Sequence, residues 1–513
     1  MTTQPSLQKQ NKPQQAVGLA YWMARAAEEC QRAGSDLASG PVHDLRVALR
    51  RCRSLADGLM AVDPEPEWKA MKKAGKALFS SLGELRDTQV MTEWVQKLGP
   101  PQDPETQALL DLLSKDEQNH KLKAAEALRA FDLRQWRKWS VKLPRRAARL
   151  KPGSNIFRHL ALERWTEAHD LHRRVLRNRS QAAFHQLRIG IKRFRYIVEN
   201  FLPVQHQLWS ADLKELQDLL GDVHDLDVLW STATRVNAFS SPESRTRWHA
   251  IIHEPREKRI ARYREKMTGP YSLWNTWRPE LPQGNQVQVA ARARLTLWAS
   301  FLDPDFAHSQ RVAALAVQVF DGLFALGLSP SSPNQDLRSI LQTAAFVHDV
   351  GRSKNEKGHH KSSYRLVRRH SPPLGYTASD LQLAAAVARF HRGALPQSRH
   401  KAVRELAADQ KTIVLRLAGI LRFADALDKD SQGRTRRLRI FEKDGAVIVL
   451  AQGYAAWTRA AENIAASRHL LETVLRRPLL VKAMPASGMG RQSRTAVERW
   501  ARSFPDTPFR SLF

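Results

Sequence analysis

The sequence predicts a mostly α-helical protein: a tandem, four-helix-bundle-like domain, then an all-helical domain, then a small α/β unit. Three observations lead there. Apolar residues recur at helical spacing through most of the 513 residues. Strand-like alternation is nearly confined to a short stretch after residue 435. One basic helical stripe occurs twice, 142 positions apart (185 − 43).

In chain order, residues 1–16 are polar, Gln-rich and read as disordered. Residues 17–267 form the first helical domain, with breaks expected near 64–66, 99–104, 144, 152–153 and 203, where Pro and Gly cluster. The Pro-, Trp- and Gly-rich stretch within 268–286 reads as a linker. Residues 287–434 form the second helical domain, with helices expected around 308–326, 337–347, 379–390 and 411–427. In 435–484, strands at 437–442 and 446–451 flank Asp444-Gly445, a strong hairpin signal, and a helix at 454–476 and a strand at 479–482 complete an α/β unit. Residues 485–513 read as a loose basic tail.

With 42% apolar and 26% charged residues, the composition is that of a soluble globular protein. The charge balance is not ordinary: 82 Lys+Arg against 51 Asp+Glu leave a net charge of +31. Such an excess calls for an anionic partner, the plain alternative being a solvated basic surface. No apolar run approaches the ~20 residues that span a bilayer, and the opening residues lack a signal-peptide core. Cys30 and Cys52, with no CxxC motif, suit a reducing compartment. The expected location is the cytoplasm.

The repeated stripe consists of His43, Arg46, Arg50 and Arg53, and again of His185, Arg188, Lys192 and Arg195. At about 100° per residue, these offsets fall within roughly 80° of one helix face. Cations gathered on one face repel one another unless an anion lies against them. Asp57 and Glu199 extend the match on the same face, where a carboxylate one turn beyond Arg53 can orient its guanidinium. Further on, Lys76, Leu82, Gly83 and Asp87 match Lys214, Leu220, Gly221 and Asp225, shifted by 138 (225 − 87). The reading is two related bundles whose basic faces line a shared cleft; the alternative is two solvated faces laced with surface ion pairs.

At these residues the chain resembles the CHAD family, the conserved-histidine α-helical domain. Val42-His43-Asp44-Leu45-Arg46-Val47, Arg50-Arg51-Cys52-Arg53 and Leu85-Arg86-Asp87 match its first half; Phe184-His185-Gln186-Leu187-Arg188-Ile189, Ile191-Lys192-Arg193-Phe194-Arg195-Tyr196 and the segment from Leu219-Leu220-Gly221 to Asp225 match its second. The resemblance covers roughly 17–267 and implies a basic cavity that binds inorganic polyphosphate. Its candidate contacts are His43, Arg46, Arg50, Arg53, Lys76, His185, Arg188, Lys192, Arg195 and Lys214. Lys192 departs from its counterpart Arg50 but keeps the charge.

The second domain carries His308, His348-Asp349 and Asp425 on or at the ends of expected helices, among apolar neighbours. Buried imidazoles and carboxylates need partners, and this N/O set suits a divalent metal: Mn, Fe, Co, Zn or Mg. The series resembles the HD phosphohydrolase superfamily, and more narrowly the C-terminal HD-like region of exopolyphosphatase and guanosine-pentaphosphate phosphatase proteins. The likeness rests on Phe346-Val347-His348-Asp349-Val350-Gly351, Gly358-His359-His360-Lys361, Arg389-Phe390-His391-Arg392 and Leu421-Arg422-Phe423-Ala424-Asp425-Ala426-Leu427-Asp428, and runs from about 290 to 484. It implies His308, His348, Asp349 and Asp425 as metal ligands, and His348, Asp349, Lys361, His391 and Arg392 as the catalytic set. Two departures stand out. Within these residues there is no sign of the actin-like ATPase-fold domain that performs phosphoanhydride hydrolysis in those enzymes. Ser362 stands where the family often has histidine, which leaves a second metal open; His360 and His391 remain as further ligands or as phosphate and water contacts.

Three functional readings follow. The first is a polyphosphate-binding protein whose HD-like half is a metal-dependent phosphohydrolase for a phosphoanhydride or phosphoester, in the cytoplasm or on polyphosphate granules. The second is a non-catalytic polyphosphate-binding scaffold with a structural HD-like half. The third, nucleic-acid binding, is permitted by the charge but lacks any zinc-finger, RRM or KH pattern.

Overall fold

The computed structural model describes residues 18–484 except 38, 101, 331, 333–334, 430–434 and 457–458. The stretches read as a disordered start (1–16) and a loose tail (485–513) lie outside the described residues. The chain divides into two compact units between Gly284 and Asn285. The described residues form eighteen α-helices and a single three-stranded sheet, confined to residues 438–483. No helix among them is long and apolar enough to cross a membrane.

The first unit is wholly helical in its described part. Its first half consists of α1 (Leu19–Asp36), α2 (Ser39–Leu59), α3 (Pro66–Leu98), α4 (Pro104–Arg129) and α5 (Leu133–Ala147). Its second half consists of α6 (Asn155–Arg177), α7 (Gln181–Phe201), α8 (Pro203–Arg235) and α9 (Pro242–Met267). In each half four helices pack in series, α1 to α4 and α6 to α9, with α5 lying against α1 and α3; α2 meets α7 while α3 meets α8 across the halves. The repeat read in the sequence is thus a repeat in space.

Local chemistry sets these ends. Asp103 caps α4 by accepting from Thr106 N at 3.1 Å, with Pro104 at the first helical position, where its missing N–H costs nothing. Pro203 likewise takes the first position of α8, two residues past the end of α7, here without a capping side chain. The break expected near 144 is not found: α5 runs on to Ala147. So close to the C-terminal end Pro144 forfeits one ladder bond, and burial of Leu143, Trp139 and Trp136 holds the helix.

On α7, Phe184, Leu187, Ile191, Phe194, Ile197, Val198 and Phe201 are buried at three- and four-residue spacing, leaving the stripe on another face. The halves approach closely where Gly58 meets Phe201, since a Cβ at 58 would overlap that ring. Asn200 donates to Ser54 Oγ at 3.0 Å, and Arg51 pairs with Glu199 at 2.5 Å, bolting α2 to α7. The stretch read as a linker holds a short helix, α10 (Leu273–Trp277). Trp274 and Trp277 are buried there against Trp165, Phe194 and Trp209, so this stretch contributes to the core of the unit while most of its other residues are exposed.

The second unit begins with α11 (Asn285–Leu302) and continues with α12 (Phe306–Ala325), α13 (Leu337–Val347), α14 (His359–Arg369), α15 (Ala378–Arg389), the single turn α16 (Lys401–Arg404) and α17 (Ala408–Lys429). Asp305, Asp336 and the Thr377/Asp380 capping box start α12, α13 and α15. Strands β1 (Leu438–Lys443) and β2 (Ala446–Ala451) pair antiparallel about Asp444-Gly445, both with positive φ, the backbone that a two-residue hairpin turn requires. After α18 (Arg459–Leu475), β3 (Leu479–Ala483) joins β2 in parallel, giving the order β1-β2-β3. Val447, Val449 and Ala451 continue the core of α12, α13, α15 and α17. β1 packs on α12 and α18 on α17, so the small α/β unit steadies the two helices that carry His308 and Asp425.

Candidate functional site

In the first unit the two stripes converge. Asp87 on α3 feels Arg46 of α2 together with Arg188 and Lys192 of α7. Lys192 in turn feels Arg188, Arg50, Asp225 and Asp87. Burial, then the Arg188 and Arg50 guanidiniums, push the Lys192 ammonium down to about 7, while burial pushes the Asp225 carboxyl up to about 6. Both shifts mark a half-buried place where like charges are crowded.

Two cationic atoms there want a partner: Arg46 Nη1 and Arg188 Nε are buried and make no hydrogen bond among the described residues. Arg46 and Arg53 lie over the Phe79 ring at 5.4 and 4.7 Å. Gly83 makes room for the first, since a Cβ there would come 3.1 Å from Arg46 Nη1. His224, which no sequence motif singles out, faces His185 with 3.4 Å between Nδ1 atoms, and burial with Arg188 holds it down at about 4.

Other expected contacts stand apart from this knot. His43, Lys76 and Lys214 are exposed, and Lys214 pairs with Asp218 at 2.7 Å. Arg195 lies 3.8 Å from Glu199, the i,i+4 pair expected of this motif. Its counterpart differs: Asp57 pairs with Lys72 of α3 and not with Arg53, because α3 brings that ammonium closer.

In the second unit, His308 on α12, His348 and Asp349 after α13, and Asp425 on α17 come together. His308 Nε2 is 2.9 Å from Asp425 Oδ1, and His348 Nε2 is 3.7 and 3.8 Å from Asp349 Oδ1 and Asp425 Oδ1. Asp428, one turn past Asp425, accepts from His308 Nδ1 at 2.6 Å and is itself held by Arg311 at 2.7 and 3.0 Å. Burial opposes a charged imidazole, but these two carboxylates carry His308 up to about 10.

A second group shares Asp349. His359 Nε2 and His391 Nε2 lie 3.0 and 3.6 Å from Asp349 Oδ1, and His308, His348, Asp349 and Asp349, His359, His391 are both groups compact enough to hold a metal ion. In the sequence His359 belongs to a motif but has no role of its own. It is buried at the start of α14, next to His360, and the adjacent pair alone does not say which ring points inward. The Nδ1 atoms of His348, His359 and His391 donate to the carbonyls of Ala345, Glu356 and Ala388 at 2.6–2.8 Å. Neutral rings so held turn Nε2 lone pairs towards a carboxylate, an arrangement that asks for a cation between them. His348 Nε2 and Asp349 Oδ1, both buried, make no hydrogen bond among the described residues; the 3.0 Å approach of His359 to Asp349 falls short in geometry. The imidazoles outweigh burial and hold the Asp349 carboxyl below the usual range. The donor set fits a divalent metal.

Ser363 fixes this arrangement, donating to His348 O at 2.6 Å while accepting from Gly351 N at 2.9 Å. A Cβ at Gly351 would overlap His359 O and Ser363 N, so only glycine lets α14 lie against the turn after Asp349.

Residues 16–234 match the family model of the CHAD domain, and residues 296–463 match that of Ppx/GppA phosphatase, domain III. The chain carries a CHAD domain followed by a Ppx/GppA-like domain. No curated protein gives a significant match. The CHAD match takes in both stripes and ends inside α8, while the Ppx/GppA-like match spans every residue of the two His/Asp groups.

Proposed function

We propose that the CHAD domain binds inorganic polyphosphate along the face shared by α2 and α7, and that the Ppx/GppA-like domain is a metal-dependent phosphohydrolase for a phosphoanhydride or phosphoester. One observation carries the first part: Arg46 and Arg188, from separate repeats, crowd the same carboxylate while each keeps a buried, unpartnered N–H. A phosphate chain supplies repeated oxygens to such donors, and planar guanidinium forks grip them bidentately. Retention on immobilised polyphosphate, challenged with RNA at several salt concentrations, tests this reading. Loss of retention to RNA as readily as to free polyphosphate contradicts it.

In the second domain His308, His348, Asp349 and Asp425 would hold one cation, and Asp349, His359 and His391 a second. A divalent cation in such a place acts as a Lewis acid on a phosphoryl oxygen and makes water more acidic. The chain's own residues do the rest. The carbonyls of Ala345, Glu356 and Ala388 fix the three rings in one tautomer. Asp428, braced by Arg311, aims His308 at the cluster. Val347 and Val350, flanking His348-Asp349, and Ala388, one turn before His391, are anchored in a buried apolar cluster. Phosphate release by purified protein, compared with Asp349→Ala, tests the activity.

A second reading has one observation in its favour. Both ring nitrogens of His308 are taken by carboxylates, Asp425 and Asp428, a pairing that would serve a purely structural domain in a polyphosphate-binding scaffold. Elemental analysis discriminates, because that scaffold would carry no stoichiometric metal.

A further inference from the structure

The sequence alone groups Lys361 and Arg392 with His391. The structure separates them. His391 turns into the buried cluster at Asp349, whereas Lys361 and Arg392 gather with His360 and Arg389. The charged groups acting most on His360 are Arg389, His359, Lys361 and Arg392, none of them a carboxylate. His360 Nδ1 and Arg389 Nη1 are buried and make no hydrogen bond among the described residues. Arg389 lies 5.1 Å from the Phe390 ring centre.

Two backbone features widen the space beside these atoms. Gly393 has φ +77°, and a Cβ there would come 3.2 Å from His360 Nε2. The eleven-residue helix α14 begins at His359 behind Gly358, whose φ is +81° and which offers no capping side chain. No capping side chain therefore competes for the positive end of this helix, which starts beside His360. Crowded cations, unpartnered buried nitrogens and an uncapped helix start describe an anion cradle. Its centre is near the cluster: the His360 ring lies 6.3 Å from the His391 ring and 5.8 Å from the His359 ring.

We propose that His360, Arg389, Lys361 and Arg392 hold a second, non-reacting phosphate of the substrate. The Ppx/GppA-like site would then select molecules with at least two linked phosphates over monophosphate esters. Substrate selection rests on the proposed phosphohydrolase reading; the cradle itself does not.

The test titrates the full chain with inorganic tripolyphosphate without divalent cation, so that nothing turns over. Two classes of site are expected. Arg46→Met with Arg188→Met removes the tighter class, and Arg389→Met removes the other, weakening it roughly tenfold or more. With metal present, Arg389→Met raises KM for tripolyphosphate by a similar factor and leaves KM for a monophosphate ester within about twofold. The exposed pair Lys361→Met and Arg392→Met is expected to act in the same direction, guarding against a folding defect in the buried variant. Unchanged tripolyphosphate binding in all three variants overturns the cradle. An inactive protein that still loses the second class of site overturns the hydrolase reading and leaves the cradle standing.

Discussion

Replacing Arg46 or Arg188 by methionine keeps the apolar stem and removes the charge, which separates binding from packing. Each side chain presents one buried nitrogen without a partner, Arg46 Nη1 and Arg188 Nε. A charge-assisted hydrogen bond that such an atom makes to a phosphate oxygen is worth about 1.5–3 kcal/mol. Each substitution should therefore weaken polyphosphate binding by roughly 10- to 150-fold, and the salt dependence should flatten by about 0.7 for every phosphate no longer neutralised. The exposed Lys76 serves as control: Lys76→Met should cost less than about 1 kcal/mol. Stability of the free protein should move the other way, holding or rising slightly, because burial and the neighbouring Arg50 and Arg86 already disfavour the Arg46 charge, with Asp87 opposing them. Isothermal titration with a defined-length polyphosphate and thermal melts give both readouts. Unchanged affinity with a lowered Tm would refute the reasoning, since that is the pattern of a packing residue.

Four further outcomes follow. Lys192, held down near 7, gains its proton below that pH, so affinity should fall about tenfold between pH 6 and 8; Asp225, near 6, ionises over the same range and adds to the fall. Lys192→Arg should flatten the curve above pH 7, measured against wild type. Asp349→Ala, which removes the carboxylate common to both ligand groups, should abolish stoichiometric metal by elemental analysis. Asp428→Asn should weaken metal binding about 10- to 100-fold without removing a direct ligand, as expected for a residue that aims His308. Gly351→Ala should cost about 2–3 kcal/mol through overlap with the α14 backbone, seen as a Tm lower by several degrees.

Much of this was legible in the sequence because it depended on local periodicity. The Asp444-Gly445 turn, the repeated stripes and α13 (Leu337–Val347) needed only near neighbours. His308, His348, Asp349 and Asp425 could be grouped through their family likeness, and the structure brings them together. What stayed hidden required knowing which elements meet. His359 and His360 are adjacent and chemically alike, and only the start of α14 decides that one meets Asp349 while the other feels Arg389, Lys361 and Arg392. Trp274 and Trp277 sit in a composition typical of a connector, yet their partners come from helices more than sixty residues away. Asp57 goes to Lys72 because α3 happens to pass it, a pairing no spacing rule contains. Pro144 breaks nothing because three buried side chains outweigh one missing hydrogen bond.

Tight-binding stoichiometry for a long polyphosphate in the two single variants, Arg46→Met and Arg188→Met, bears most directly on the convergence of the repeats. If both repeats grip one chain of phosphates, either change weakens the whole of the tight binding. If instead each change leaves half of the tight sites with wild-type affinity, the stripes serve separate anions and the common groove does not exist.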